Sequence, residues 1–190
     1  MAISIPTAGS ASPSNENYID LLCIRTEKDL LINALGVTLY NEFQTALADI
    51  DNIANAKWKL LLNGQEYDGK IWHGLKHEMN LIALKVYETY VTETNSSLTQ
   101  SGNVQTNSEH ANLFTPAYKI ANANQMFIAE WQGTHSNAPI IQGNFIDWFG
   151  TQDVTNVSLY RYLIDKKTDF PTWEVSKFKF YCETKNTFGL

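Results

Sequence analysis

Little in this chain points to export or to a membrane. No apolar run approaches the length of a membrane span. The first residues, MAISIPTAGSASPSNENY, carry no basic region and no apolar stretch, so they are not read as a secretory signal. Cysteine is scarce. Cys23 and Cys182 are far apart and neither lies in a C-x-x-C motif, which excludes a disulfide framework and suits a reducing compartment. Bases are few as well: fourteen against twenty acids, a formal charge of −6. Tight nucleic-acid binding neutralises phosphates with Lys and Arg, so this balance disfavours it. An acidic surface facing DNA would instead repel it and let it slide. There is no G-x-S-x-G, no activating motif around either cysteine, and no internal repeat.

What is present is enough for one domain with a sizeable core: 190 residues, 44% of them hydrophobic. The periodicity predicts a mainly α fold, a helical bundle around a long central helix with extended N- and C-terminal segments. Residues 1–18, rich in Ser, Ala, Asn and Pro, read as a flexible arm. Residues 19–150 read as the helical core. Residues 151–190 read as a helix and an extended tail, packed on the core or on neighbours.

Within 27–50, Leu31, Leu35, Leu39, Phe43, Leu47 and Ile50 share one helical face, with Thr26 as N-cap and Gly36 as a break or kink. A short helix over 54–62 stops at Asn63-Gly64, and Asp68-Gly69 reads as a tight turn. The longest helix is predicted over 72–93, with stripes Ile71/Leu75/Met79/Ile82/Val86/Tyr90 and Leu81/Leu84/Tyr87/Val91. Residues 95–107 are small and polar and read as a long contact loop. A second long helix is predicted over 108–132, with Pro116 near its start, and Gly133 ends it. Its stripe is Leu113, Ala117, Ile120, Ala121, Ile128 and Trp131, and the small Ala117, Ala121 and Ala123 would permit close helix approach. Residues 154–166 read as a short helix with Val157, Tyr160 and Ile164 on one side, stopped by Asp169-Phe170-Pro171. Alternation in EVSKFKFYCE favours an extended segment.

The stretch NGQEYDGKIWHGLKHE, 63–78, looks most like chemistry. On a helix, His73 and His77 at i and i+4 would share a face and could ligate a metal, with Glu66, Asp68, His110 or His135 completing the site. Gly74 stands where H-E-x-x-H needs Glu, so two polar residues in the first turns of a helix is the plainer reading. Gly64 to Lys70 spells G-x-x-x-x-G-K, the start of a phosphate loop. Ile71 replaces the Ser/Thr that would reach Mg²⁺, AKWKLLL reads as helix rather than strand, and Glu66 and Asp68 would repel phosphate. Acid pairs such as Asp49/Asp51 fall where a helix ends and read as solvated. The aromatics Tyr160, Tyr162, Phe170, Trp173, Phe178, Phe180 and Tyr181 could stack bases or sugars, but packing in a core or subunit interface fits an acidic protein better. The residues thus predict no catalytic, cofactor or metal site. A small metal-dependent enzyme using His73 and His77, or an aromatic-rich binding module, are the alternatives.

The order "LGVTLYNEF", "WKLLLNGQEYDGKIWHGLKHEMNLIALKVYETYV", a polar loop with "SGNV", a long helix and a closing "NTFGL" resembles the head–tail connector or adaptor proteins of tailed bacteriophages, most closely those of phages infecting Bacteroidetes, including the crAss-like group. There a helix ends in "LL.G..Y" and a "GL" opens the central helix; here these are Leu61, Leu62, Gly64, Tyr67, Gly74 and Leu75. The resemblance spans roughly 30–130 and the last few residues; 140–182 do not obviously match. It implies a helical, non-enzymatic virion protein of the neck, made in the host cytoplasm and needing no cofactor. It implies a homo-oligomeric ring of twelve copies, bound to the portal and other neck or tail proteins, with DNA passing without sequence-specific contact. The expected contacts are the loops 63–70 and 95–106 and the tail 186–190: Asn63, Gly64, Tyr67, Asp68, Gly69, Ser101, Gly102, Asn103, Phe188, Gly189 and Leu190.

Overall fold

The computed structural model describes residues 13–77, 80–94, 97–99, 102–104, 117–133, 144–146 and 152–181. It is mostly helical, with small sheets. The helices are α1 (Pro13–Leu47), α2 (Ala56–Asn63), α3 (Leu81–Thr94), α4 (Ala117–Gln132) and α5 (Leu159–Asp165). The strands are β1 (Gln65–Tyr67), β2 (Lys70–Trp72), β3 (Ser97–Thr99), β4 (Gly102–Val104), β5 (Asn144–Ile146) and β6 (Gln152–Val157). No helix among the described residues is long and apolar enough to cross a membrane.

α1 starts earlier than its periodicity suggests. Residues 13–18, expected in a flexible arm, are helical, and Thr26 is a buried position inside the helix rather than its cap. Gly36 does break it, at φ 78° and ψ 164°. A break there removes the partners of the carbonyls three and two residues back. Both carbonyls find new donors in the C-terminal segment: Lys179 N–H donates to Asn33 O at 2.9 Å and Trp173 Nε1–H to Ala34 O at 2.8 Å. The kink is therefore a docking point for residues 173–179.

α3 packs on both α1 and α4. It begins at Leu81, not near Trp72. Asn80 caps it, its Oδ1 accepting from Ala83 N–H at 2.9 Å. The apolar residues 71–75 that extended the helical stripe belong to a strand and a turn. A three- or four-residue spacing cannot tell a helix from a buried strand followed by a turn. In α4, Ala123, Phe127, Ile128 and Trp131 are buried, while Ala121 is exposed, so of the small residues only Ala123 is seen to reach the core. Gly133, at φ 83°, follows the helix as expected.

β1, β2, β6 and β5 form one sheet in that order, β2 and β6 being parallel with Ile71 opposite Asn156. Residues 154–157, expected in a helix, lie in β6. Val-Thr-Asn-Val suits a pleated strand, and Ser158 caps α5 by accepting from Arg161 N–H. The buried face of α5 is Leu159, Tyr162 and Leu163, while Tyr160 and Ile164 are half-buried. Within the loop expected over 95–107, β3 and β4 pair antiparallel.

One apolar cluster unites α1, α2, α3, α4 and α5 with Trp72, Phe170, Trp173 and Phe178. Most of the C-terminal aromatics are therefore core. Phe178 is buried between Trp131 and Tyr160, whereas Phe180 is largely exposed and edges onto both Tyr160 and Phe178. Val175–Lys177 form a 3₁₀ turn where an extended segment was expected, and Phe178 after it has extended backbone; Cys182 and Glu183 lie outside the described residues.

Candidate functional site

The stretch 63–77 folds into a β-hairpin elbow clamped onto the end of α2. Tyr67 pairs with Lys70 across the two-residue turn Asp68-Gly69. Both turn residues have positive φ, 48° and 71°, as a type I′ hairpin requires, and Asp-Gly is among the commonest pairs there. The tight turn expected at these residues is present; the strands beside it were missed, although Asp-Gly was the signal for them.

Two glycines fix the base of the hairpin. Gly64 (φ 87°) and Gly74 (φ 87°) lie backbone against backbone. A Cβ on Gly64 would sit 2.4 Å from Trp72 O, and one on Gly74 would sit 2.4 Å from Gly64 N and 2.5 Å from Leu62 O. No side chain fits in either place. This closeness lets the chain after β2 satisfy the open end of α2. Leu75 N–H donates to Leu61 O, Lys76 N–H to Leu62 O at 2.9 Å, and Trp72 Nε1–H to Leu61 O at 3.0 Å.

α5 buttresses the outer part of the elbow. Asp165 accepts from Lys70 Nζ at 2.6 Å and from the Tyr67 hydroxyl at 3.1 Å, and Arg161 Nε lies 2.9 Å from its other oxygen. Burial would raise the Asp165 carboxyl, but the hydrogen bonds from Lys70 and Arg161 outweigh it and hold the group below the usual carboxylate range. Such an acid is a poor general base. Tyr162 stacks on Trp72, with ring centres 5.2 Å apart, and its hydroxyl accepts from Gln65 Nε2 at 3.0 Å. Burial, reinforced by Asp165, raises the Tyr67 hydroxyl, and burial raises that of Tyr162. Both are poor proton donors. The roles of Tyr162 and Asp165 depend on contacts across ninety residues or more, which no local motif could announce.

Neither motif-like reading of this stretch keeps its premise. The Gly64–Lys70 segment is a hairpin whose lysine is committed to Asp165, not a loop wrapped around phosphate. His73 and His77 are not on a helix. They meet through a turn, ring centres 5.0 Å apart and both exposed, and His73 Nε2 lies 2.7 Å from Asn156 Oδ1. Glu66 sits on β1 and Asp68 at the turn; His110 and His135 lie outside the described residues. Among the described residues no group of three or more His, Cys, Asp or Glu is placed to share a metal ion.

Of the expected contact residues, Asn63, Asp68 and Gly69 are exposed, and Gly64 and Tyr67 are half-buried. Gly102 and Asn103 lie in β4. Ser101, Phe188, Gly189 and Leu190 lie outside the described residues. The elbow and the β3–β4 hairpin are thus separate features. The chain matches no protein-family model, no curated protein and no solved structure.

Proposed function

We propose that this chain is a structural subunit of the neck of a tailed bacteriophage, an adaptor that assembles as a ring beneath the portal and around the DNA channel. In this reading the helices form the bundle of each subunit, and the elbow and the β3–β4 hairpin contact neighbouring proteins. The observation that carries the proposal is the elbow. Its exposed tip, Asp68-Gly69, is held by a two-strand ladder, a glycine-glycine base and a carboxylate that accepts from Lys70 and Tyr67 and pairs with Arg161. A tip fixed this way loses little conformational entropy on docking.

The residues behind the adaptor resemblance are the ones that build this feature. Leu61 and Leu62 supply its carbonyls, Gly64 and Gly74 its base, Tyr67 its strut and Leu75 its return bond. The acidic balance suits a conduit through which DNA slides.

Native mass spectrometry of the purified chain, alone and with the portal protein of its phage, tests the proposal. A closed ring of many copies, twelve by the resemblance, is expected in at least the second case. A chain that stays monomeric and unbound in both overturns it.

A further inference from the structure

Where the elbow turns back toward α3, two imidazoles meet. The rings of His73 and His77 are both exposed, yet their centres lie 5.0 Å apart with the planes tilted by 46°. Contact between exposed rings removes little surface from water, so burial alone gives this pairing little stability. A zinc-bound imidazole nitrogen lies about 2.1 Å from the ion, which puts the ring centre about 3.2 Å from it. Two such rings are about 4.5 Å apart when the ligand angle is a right angle and about 5.2 Å apart when it is tetrahedral. The observed spacing falls between the two. Asn156, on β6, supplies an independent observation. Its Oδ1 lies 2.7 Å from His73 Nε2. An amide oxygen only accepts, so Nε2 carries the proton and Nδ1 keeps the lone pair. Outer partners of this kind orient metal-ligating histidines and fix their tautomer.

We infer that His73 and His77 form a two-imidazole site for one divalent transition-metal ion of the zinc kind, with Asn156 setting the ligating nitrogen of His73. Among the described residues no third His, Cys, Asp or Glu is placed to join them, so water completes the shell and the ion is exchangeable. The site spans three elements. His73 follows β2 and reaches β6 through Asn156, while the His77 carbonyl accepts from the N–H of Asn80, the cap of α3. Between the two histidines lie Leu75 and Lys76, whose N–H groups close the end of α2. A bound ion therefore staples the return turn on which the elbow depends. The inference is independent of the neck reading.

Isothermal titration of the full chain with Zn²⁺ alone tests it, beside thermal unfolding with and without the ion. One ion per chain is expected to bind and to raise the unfolding temperature, because only the folded chain brings the two rings together. His73→Ala and His77→Ala should each weaken binding at least tenfold and abolish that rise. Both side chains face solvent, so circular dichroism should show both variants folded. Asn156→Ala keeps both rings and should weaken binding about tenfold. His110→Ala/His135→Ala should bind as the wild type does. If the wild type takes up no zinc, or either His73→Ala or His77→Ala binds it as tightly as the wild type, the rings only pack together and the site is overturned. Unchanged binding in Asn156→Ala overturns the part given to Asn156. A loss in His110→Ala/His135→Ala overturns the two-imidazole site by adding a ligand to it.

Discussion

The elbow at 64–76 and the aromatic clamp at 173–181 solve one problem with opposite chemistry. Each must satisfy helix carbonyls exposed where a helix stops. The elbow closes α2 with two backbone N–H groups and the Trp72 indole, and only two glycines let the backbone come that close. The clamp closes the α1 break with an indole and one backbone N–H carried by an aromatic cluster. Gln132 adds a paired contact, donating to Tyr181 O at 2.8 Å and accepting from Tyr181 N–H at 2.7 Å. One device depends on the absence of side chains and the other on their bulk. The two should therefore fail differently.

The largest effect is expected from Gly74→Ala. Its Cβ would meet three backbone atoms within 2.6 Å at a φ that alanine avoids, so the variant should lose about 4 kcal/mol or fail to fold, as read by urea denaturation. Trp131→Ala, in α4 against the clamp, should cost roughly 3–5 kcal/mol but leave a foldable chain, because a cavity can partly collapse whereas a backbone clash cannot. A milder loss would mean that the clamp is peripheral.

Glu130, on the same helix, should show the opposite sign. Burial pushes its carboxyl up to about 8, above its ordinary value of 4.5. The unfolded chain then releases this proton more readily than the folded one, so stability should fall as pH rises from about 4 to 8. Glu130→Gln should be neutral at pH 4 and stabilise by roughly 2–3 kcal/mol at pH 8, measured by thermal unfolding at both pH values.

On the elbow side, Asp165→Asn leaves Lys70 and Arg161 without a carboxylate and should cost about 2 kcal/mol near neutrality. Because the Asp165 pKa is lowered by folding, its contribution is present above the ordinary aspartate range and disappears as pH falls through the folded value. Mutant and wild type should therefore converge in strong acid. The smallest change is Gly69→Ala. Nothing lies within 4 Å of its Cβ, so only the positive φ is penalised, at about 1 kcal/mol. If Gly69→Ala proved as damaging as Gly74→Ala, the distinction between conformational and steric glycines would collapse.

Local rules read the helix stops well. Gly36, Asn63-Gly64 and Gly133 end or break helices where expected, because a glycine acts through its own backbone. The Asp68-Gly69 turn was legible for the same reason. The start of α3 was not, since Trp72 and Leu75 keep a helical spacing while serving a strand and a return turn. β6 was read as helix because Val157, Tyr160 and Ile164 can be lined up on a wheel without reference to β2, the strand that Asn156 pairs beside.

The sequence by itself determined a mostly helical chain, its glycine breaks and the tight turn, since these follow from backbone freedom and periodicity within a few residues. Only the tertiary structure decided what 63–78 is. Asp165 takes the lysine of the phosphate-loop look-alike, and Asn156 sits against His73. Gly64 and Gly74 turn out to serve one contact, because a Cβ on Gly74 would run into the Gly64 backbone and one on Gly64 into the Trp72-His73 backbone beside Gly74.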